Sequence, residues 1–264
     1  MKHSIQKGNP NPSYQEDPSS PWLDFHLTEE AMNHLWDSIN NPTLPLTNTN
    51  STLAGNISKS YVMYDKDNWF YENALKRCVE IMYFKDWSNY YNVHIAKTFP
   101  APEYSLDKFW VNYQKQYEFN PPHNHIGSYS FVVFMKIPTH WKEQHALPIS
   151  ANSNIPCASN FQFLLGLGEG EFGVRGMVKT KHIQLSPEDE GRILFFPSWL
   201  SHQVFPFYGT EEERITLSGN INPHMNSKIK MEIVETNIKV MQSQLAQLKN
   251  EKKMREKYDR KKEE

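Results

Sequence analysis

Residues 117–138 read YEFNPPHNHIGSYSFVVFMKIP. From Tyr129 the stretch is a run of aromatic and β-branched residues closed by Pro138, apolar enough for a strand buried on both faces. Just before it stand His123 and His125. Residues i and i+2 of an extended chain share a face, so the H-x-H pair aims both rings at one point. Pro121 and Pro122 keep the approach extended. Imidazole suits Zn, Cu, Fe or Ni, and a protein that supplies only three ligands leaves coordination positions open for chemistry. Among 11 histidines, an isolated H-x-H falls on a surface loop more often than on a metal, so the pair needs support.

That support lies some eighty residues on. His202 sits in FFPSWLSHQVFPF, as an apolar strand ends, and Gly209 to Glu213 reads as a hairpin loop. On the returning strand Arg214, Thr216, Ser218 and Asn220 share one face, and Ile215, Leu217 and Ile221 the other. If the apolar face packs outward against helices, the polar face lines a barrel mouth. An inward arginine needs an anionic partner, and its planar fork suits a carboxylate. A solvent-facing polar strand is the plainer alternative.

Around these segments the chain is built of short aromatic or β-branched runs. FWVNYQKQYEF, SYSFVVFMKIP, SNFQFLLGLG, RILFFP, HQVFPF and RITLSGNI are separated by Pro, Gly and Asn. The fold class is therefore mainly β with flanking helices, an antiparallel sandwich or barrel over residues 101–224. Upstream, 1–25 reads as a flexible arm and 26–100 as helices and loops packing on the core. TEEAMNHLWDSI opens on an N-cap Thr28 and spaces Met32, Leu35 and Ile39 helically. A second helix is expected from Asp67 to about Phe84, and NNPTLPLTNTNSTLAGN is turn-rich loop. Downstream, 225–264 reads as an amphipathic, charged helix. Its a/d stripe of Met231, Val234, Ile238, Met241, Leu245 and Leu248 either packs on its own domain or forms a short coiled coil, giving a homodimer through 231–248.

With 264 residues the chain can bury a full core. A formal net charge of -2 gives no basic field for nucleic acid or membrane. Cys78 and Cys157 are the two cysteines, which excludes a disulfide scaffold or thiolate zinc ribbon and fits a reducing compartment. No apolar leader or spanning run is present, so a soluble, cytoplasmic protein is expected. His140 and His145 read as surface histidines on a loop. Trp110, Phe131, Phe195 and Trp199 serve equally as pocket walls or core.

The blocks WVNYQKQYEFNPPHNHIGSYSFVVFMKIP and GRILFFPSWLSHQVFPFYGTEEERITLSGNI resemble the iron(II)/2-oxoglutarate-dependent oxygenases, in the branch related to the prolyl 4-hydroxylase catalytic domain and met in phage and marine bacteria. The resemblance implies a double-stranded β-helix (jelly-roll, cupin-like) core with Fe(2+) and 2-oxoglutarate as cofactor and co-substrate. It implies a dioxygenase that hydroxylates a small molecule or protein side chain with O2, releasing succinate and CO2. His123 matches the first iron ligand and His202 the distal histidine. Arg214 matches the arginine that binds the far carboxylate of 2-oxoglutarate, with Thr216 in the place of a serine. Asn112 and Tyr113 match an Asn-Tyr pair whose tyrosine reaches the co-substrate. Where the family has Asp or Glu, this chain has His125. His125 is read as the third ligand; alternatively Glu118 or another acid swings in, or His125 holds a metal-bound water. Two rival readings are a cupin-like dioxygenase that needs no 2-oxoglutarate, and a non-catalytic binding or assembly module that keeps the fold.

Overall fold

The computed structural model describes residues 20–42, 46–90, 103–169 and 175–224, and positions 242, 245, 249 and 252 beyond them. The chain divides into two compact units, Met1–Pro100 with Tyr104–Pro223, and Ala101–Glu103 with His224–Glu264. In the second, Gln242, Leu245, Lys249 and Lys252 are helical and exposed. The rest of the expected stripe (Met231, Val234, Ile238, Met241 and Leu248) lies outside the described residues, as does the arm up to residue 19.

The first unit is a pair of antiparallel sheets. Ten strands run in chain order: β1 Leu23–His26, β2 Lys59–Met63, β3 Glu103–Gln114, β4 Asn120–His123, β5 Tyr129–Lys136, β6 Phe161–Glu169, β7 Arg175–Ile183, β8 Arg192–Pro197, β9 His202–Val204 and β10 Arg214–His224. One sheet is six-stranded in the order β1-β8-β5-β10-β3-β2, and the other four-stranded in the order β4-β9-β6-β7. From β3 onward, successive strands alternate between the two sheets except for the β6-β7 hairpin, which is the jelly-roll pattern of the double-stranded β-helix expected from sequence.

Strand β5 shows why this pattern forms. Phe131, Val133 and Met135 pack on one side of the sheet with Leu35, Leu75, Cys78 and Val79. Val132 and Phe134 pack on the other with Phe161, Phe163 and Phe196, between the sheets. A strand covered on both faces is apolar along its run, as FVVFM is from Phe131. Gly219 of β10 leaves room for the side chains of its two flanking strands: a Cβ there would stand 2.7 Å from Phe109 Cβ of β3 and 2.8 Å from the Phe131 ring of β5.

The outer layer comes from the first hundred residues. Helix α1, Glu29–Asn40, begins where Thr28 Oγ1 accepts from Ala31 N–H, and it buries Ala31, Leu35 and Ile39. The second helical run begins at Trp69, two residues after the expected Asp67. Asp65 caps the start by accepting from Phe70 N–H and Tyr71 N–H, both 2.8 Å. A π turn over Tyr71–Leu75 then leads into α2, Lys76–Tyr90. Strand β1 falls partly inside the stretch expected as an arm. It is fixed by pairing with β8, Leu23 opposite Phe195, and by a two-pronged Arg192–Asp24 ion pair at 2.7 Å. His140 is the N-cap of a short helix, α3, Trp141–Ala146, and His145 lies in its last turn, in place of the expected loop. His140 caps α3 by accepting from Lys142 N–H, and the His145 ring bonds Asn160. Among the described residues no helix is long and apolar enough to cross a membrane.

Candidate metal and co-substrate site

Strands β4 and β9 build the histidine cluster. Their antiparallel register sets His123 opposite His202. Two prolines make NPPH a poor strand by composition, but β4 is an edge strand of its sheet, where missing N–H donors are tolerated. His125 lies just past β4, and its backbone N–H donates to Ser198 O at 2.9 Å, tying it to the turn after β8. His123, His125 and His202 each offer a ring nitrogen, all within 4.8 Å of one another, so that the three could hold a metal ion.

The hydrogen bonds fix two of the tautomers. A carbonyl only accepts, so His123 Nδ1–H donates to Pro121 O (2.8 Å) and His202 Nδ1–H to Leu200 O (3.0 Å). Both Nε2 atoms are thereby left with lone pairs. His125 Nε2 stands 3.3 Å from His202 Nε2. Two imidazoles about 2.1 Å from one ion would have nitrogens about 3 Å apart, so the spacing fits a shared metal.

Burial keeps the rings neutral. His202, stacked on Phe161 at 5.4 Å, is pulled down to about 3, by burial first and by His123 second. Burial and then His123 take His125 to about 4. His123 is lowered by burial, partly opposed by its bond to Pro121. Neutral imidazoles are the ligating form, so the cluster needs no proton loss near neutral pH.

Among the described residues no carboxylate joins the cluster. Glu118, the alternative acid, is committed elsewhere: its Oε1 accepts from Ser58 N–H and its Oε2 from Lys115 N–H, both at 2.9 Å. His125 is the third residue of the cluster.

Arg214 opens β10 and is fully buried. Its guanidinium donates to Ser159 O at 2.9 Å and to Ser159 Oγ, reaches Gln114 Oε1 at 3.5 Å, and lies over the Phe207 ring at 5.1 Å. Ser159 holds φ at 70°, in the left-handed region that side-chain-bearing residues avoid. That conformation turns its carbonyl and hydroxyl to the same cation. No carboxylate among the described residues pairs with Arg214, and its buried Nε–H has no partner. Burial lowers the group to about 9, so it stays cationic at neutral pH. A buried cation with an unspent donor calls for an anion from outside the chain.

The histidines and Arg214 border one cavity, together with Trp110, Asn112, Thr216 and Ser218. The β10 faces sort as the alternation predicts: Arg214, Thr216 and Ser218 face the cavity, and Leu217 and Ile221 join the core shared with the helices. Asn112 is held by Ser60 Oγ at 2.8 Å and approaches Thr216 Oγ1 at 3.4 Å. Tyr113 does not join them. It is one residue out of phase on β3, so its ring packs against Tyr61 and under Lys59 Nζ on the other face. The next residue in phase, Gln114, takes the place beside Arg214. Of the four aromatics singled out, Trp110 and Phe131 border the cavity, Phe195 is core, and Trp199 is exposed.

Sequence reading missed Gln114, although it shares parity with Trp110 and Asn112. It also missed Ser159, Asn120 and the segment 53–57, which borders the cavity from outside the strand-rich region. A lone serine, asparagine or turn-rich loop carries no signal of such a role.

Residues 108–220 match the family model described as "Putative 2OG-Fe(II) oxygenase". No curated protein matches the chain. Solved structures similar to it include a Pseudomonas putida prolyl-4-hydroxylase, at 12% identity over 78% of this chain and 95% of that one, TM-score 0.42. The viral collagen prolyl hydroxylase of Paramecium Bursaria Chlorella virus-1, in complex with 2-oxoglutarate, follows at 10% over 77% and 96%, TM-score 0.41. HygX of Streptomyces hygroscopicus, with nickel and 2-oxoglutarate bound, is 8% identical over 78% and 84%, TM-score 0.42. At such identities and scores these likenesses carry no weight for substrate or residue roles.

Proposed function

We propose that the chain, whose residues 108–220 match the 2OG-Fe(II) oxygenase family model, is an iron(II)- and 2-oxoglutarate-dependent dioxygenase that hydroxylates its substrate. His123, His125 and His202 are the iron ligands of this reading. Arg214 grips the far carboxylate of 2-oxoglutarate, with Thr216 and Asn112 beside it. The observation that carries it is the pairing, in one cavity, of three converging imidazoles with a buried, unpaired guanidinium. A dioxygenase that needs no 2-oxoglutarate has no use for that arginine, and an assembly module has no use for either group.

When bound, iron(II) and 2-oxoglutarate would supply the chemistry that uses O2 as oxidant, coupling decarboxylation of the co-substrate to hydroxylation. The chain's own residues do the rest. The carbonyls of Pro121 and Leu200 hold two rings in the ligating tautomer. Phe161 and Phe196 wall His202 from water. Arg214 fixes the co-substrate at its far end, leaving the keto acid end to face the histidines. Ser60 locks Asn112 through its Oδ1, so Nδ2 is the atom Asn112 turns towards Thr216.

Anaerobic titration with iron(II), with and without 2-oxoglutarate, tests this reading. A visible metal-to-ligand charge-transfer band is expected only when both are present, and it should be lost separately in His123→Ala, His125→Ala and His202→Ala. Tight iron binding with no band in the wild type would return the chain to the dioxygenases that need no 2-oxoglutarate.

A further inference from the structure

Two of the three imidazoles are held by their rings, and the third is not. His123 and His202 each donate through Nδ1–H to a backbone carbonyl. Among the described residues no carbonyl holds the His125 ring. Its Nε2 faces His202 Nε2 at 3.3 Å, and it lies beside Trp110 with 6.0 Å between ring centroids. The place of His125 is therefore set through its main chain, whose N–H donates to Ser198 O at 2.9 Å.

Ser198 is itself tied down by a chain of buried polar groups. Its N–H donates to Ser128 O (3.0 Å), and its hydroxyl meets Ser130 Oγ at 2.8 Å. Ser130 Oγ–H donates to Asn220 Oδ1 at 2.9 Å. A serine has one hydroxyl proton, so with that of Ser130 spent on Asn220, Ser198 is the donor within the serine pair. The chain thus runs from the turn after β8 through β5 to β10, where Asn220 stands opposite Ser130 in the strand register. Ser130 and Ser198 are both buried. Buried hydroxyls are costly unless paired, and a fully paired chain is rigid. The loop that carries His125 is fixed from the other side as well. Ser128 N–H donates to Ile221 O (3.0 Å), and Gly127 holds φ at 127°, where a Cβ would stand 2.7 Å from Asn222 Oδ1.

Asn220 shares the polar face of β10 with Arg214, Thr216 and Ser218, yet neither it nor the two serines is among the residues that border the cavity. We infer that Ser130, Ser198 and Asn220 are positioning residues for the third iron ligand: they hold the Ser198 carbonyl, and through it the main chain of His125, where the metal needs it. The inference rests on the proposed function, which makes His125 a ligand.

The test uses the full chain, metal-free and anaerobic, titrated with iron(II) against a chromophoric chelator. Ser130→Ala takes the acceptor from Ser198 and the donor from Asn220, and Asn220→Leu removes the far end of the chain. Each should weaken iron binding about tenfold, as the loss of a ligand's outer partner does. In a His125→Ala background neither should change the iron affinity by more than about twofold, because the chain acts only through that ligand. Asn220→Asp, which keeps the acceptor, should lose no affinity. Should Asn220→Leu fail to fold, Ser130→Ala, which removes a single hydroxyl, carries the test. A Ser130→Ala protein that binds iron like wild type would overturn the inference. So would a loss that persists undiminished in the His125→Ala background, since the chain would then support the fold in general. A His125→Ala protein that binds iron like wild type would instead bring down the proposed ligand set, and this inference with it.

Discussion

Arg214 and His125 carry the chemistry that separates this site from an ordinary polar cleft. Arg214→Ala removes the anchor for the far carboxylate. Hydrogen bonds between charged groups are worth about 1.5–3 kcal/mol each, so losing a two-pronged grip should weaken 2-oxoglutarate about 100-fold or more while iron binding persists. Arg214→Lys keeps the charge without the fork and should fall between. Titrating the charge-transfer band with 2-oxoglutarate measures both; equal affinity in all three proteins would detach Arg214 from the co-substrate. At His125 the question is charge as well as ligation. Three neutral imidazoles leave the metal's charge undiminished, so a dianionic co-substrate is held more strongly than beside a carboxylate ligand. His125→Ala should weaken iron by about 100-fold, a rough per-ligand share of a metal-site free energy. His125→Asp should bind iron and yet hold 2-oxoglutarate less tightly than wild type, as isothermal calorimetry would show. These residues were legible because strand parity and the H-x-H spacing speak for them. At Tyr113 motif and parity part company: Trp110, Asn112 and Gln114 border the cavity, while the tyrosine between them packs on Tyr61 on the other face of β3.

Elements were legible where burial dictates composition. β5, β8 and β10 are covered on one or both faces, so their apolar pattern betrays them. β4, β7 and β1 are edge strands, and edges tolerate what interiors do not: two prolines in NPPH, charged residues in RGMVKTKHI, four residues in LDFH. Pairing partners, which a single sequence does not display, make them strands. The wall 53–57 was hidden for a similar reason, because its place is set by contacts with residues some sixty positions away. Glu118 holds it there, and that gives a prediction of its own. Glu118→Ala leaves the Ser58 and Lys115 amides without their acceptor. Both contacts are exposed, so the stability cost should be only about 1 kcal/mol. Hydrogen exchange at the Ser58 amide should nevertheless rise clearly, with iron affinity unchanged. A loss of iron in this variant would show that Glu118 ligates after all.

For the molecule as a whole, the cost of burying three imidazoles together shows as a dependence on pH. In the unfolded chain each titrates near 6.5. Folding takes His125 down to about 4 and His202 to about 3, with His123 also lowered. Below 6.5 the unfolded state therefore binds protons that the folded state refuses, and linkage makes stability fall as pH falls. The contribution is intact above about 6.5, declines through the window down to about 3, and levels off once the folded rings protonate too. Thermal melts of the metal-free protein should show the midpoint dropping steadily from pH 7 to pH 4. Metal-free His202→Leu, lacking the most strongly shifted ring, should give a flatter profile over the same range. Adding a redox-inert divalent ion should raise the wild-type midpoint most at the upper end of the window. Binding to the folded state alone stabilises it by about 2.7 kcal/mol at a hundredfold excess over Kd, and protons compete for the same three lone pairs as pH falls. A wild type and His202→Leu with parallel pH profiles would mean that the buried cluster is not what couples this fold to acid.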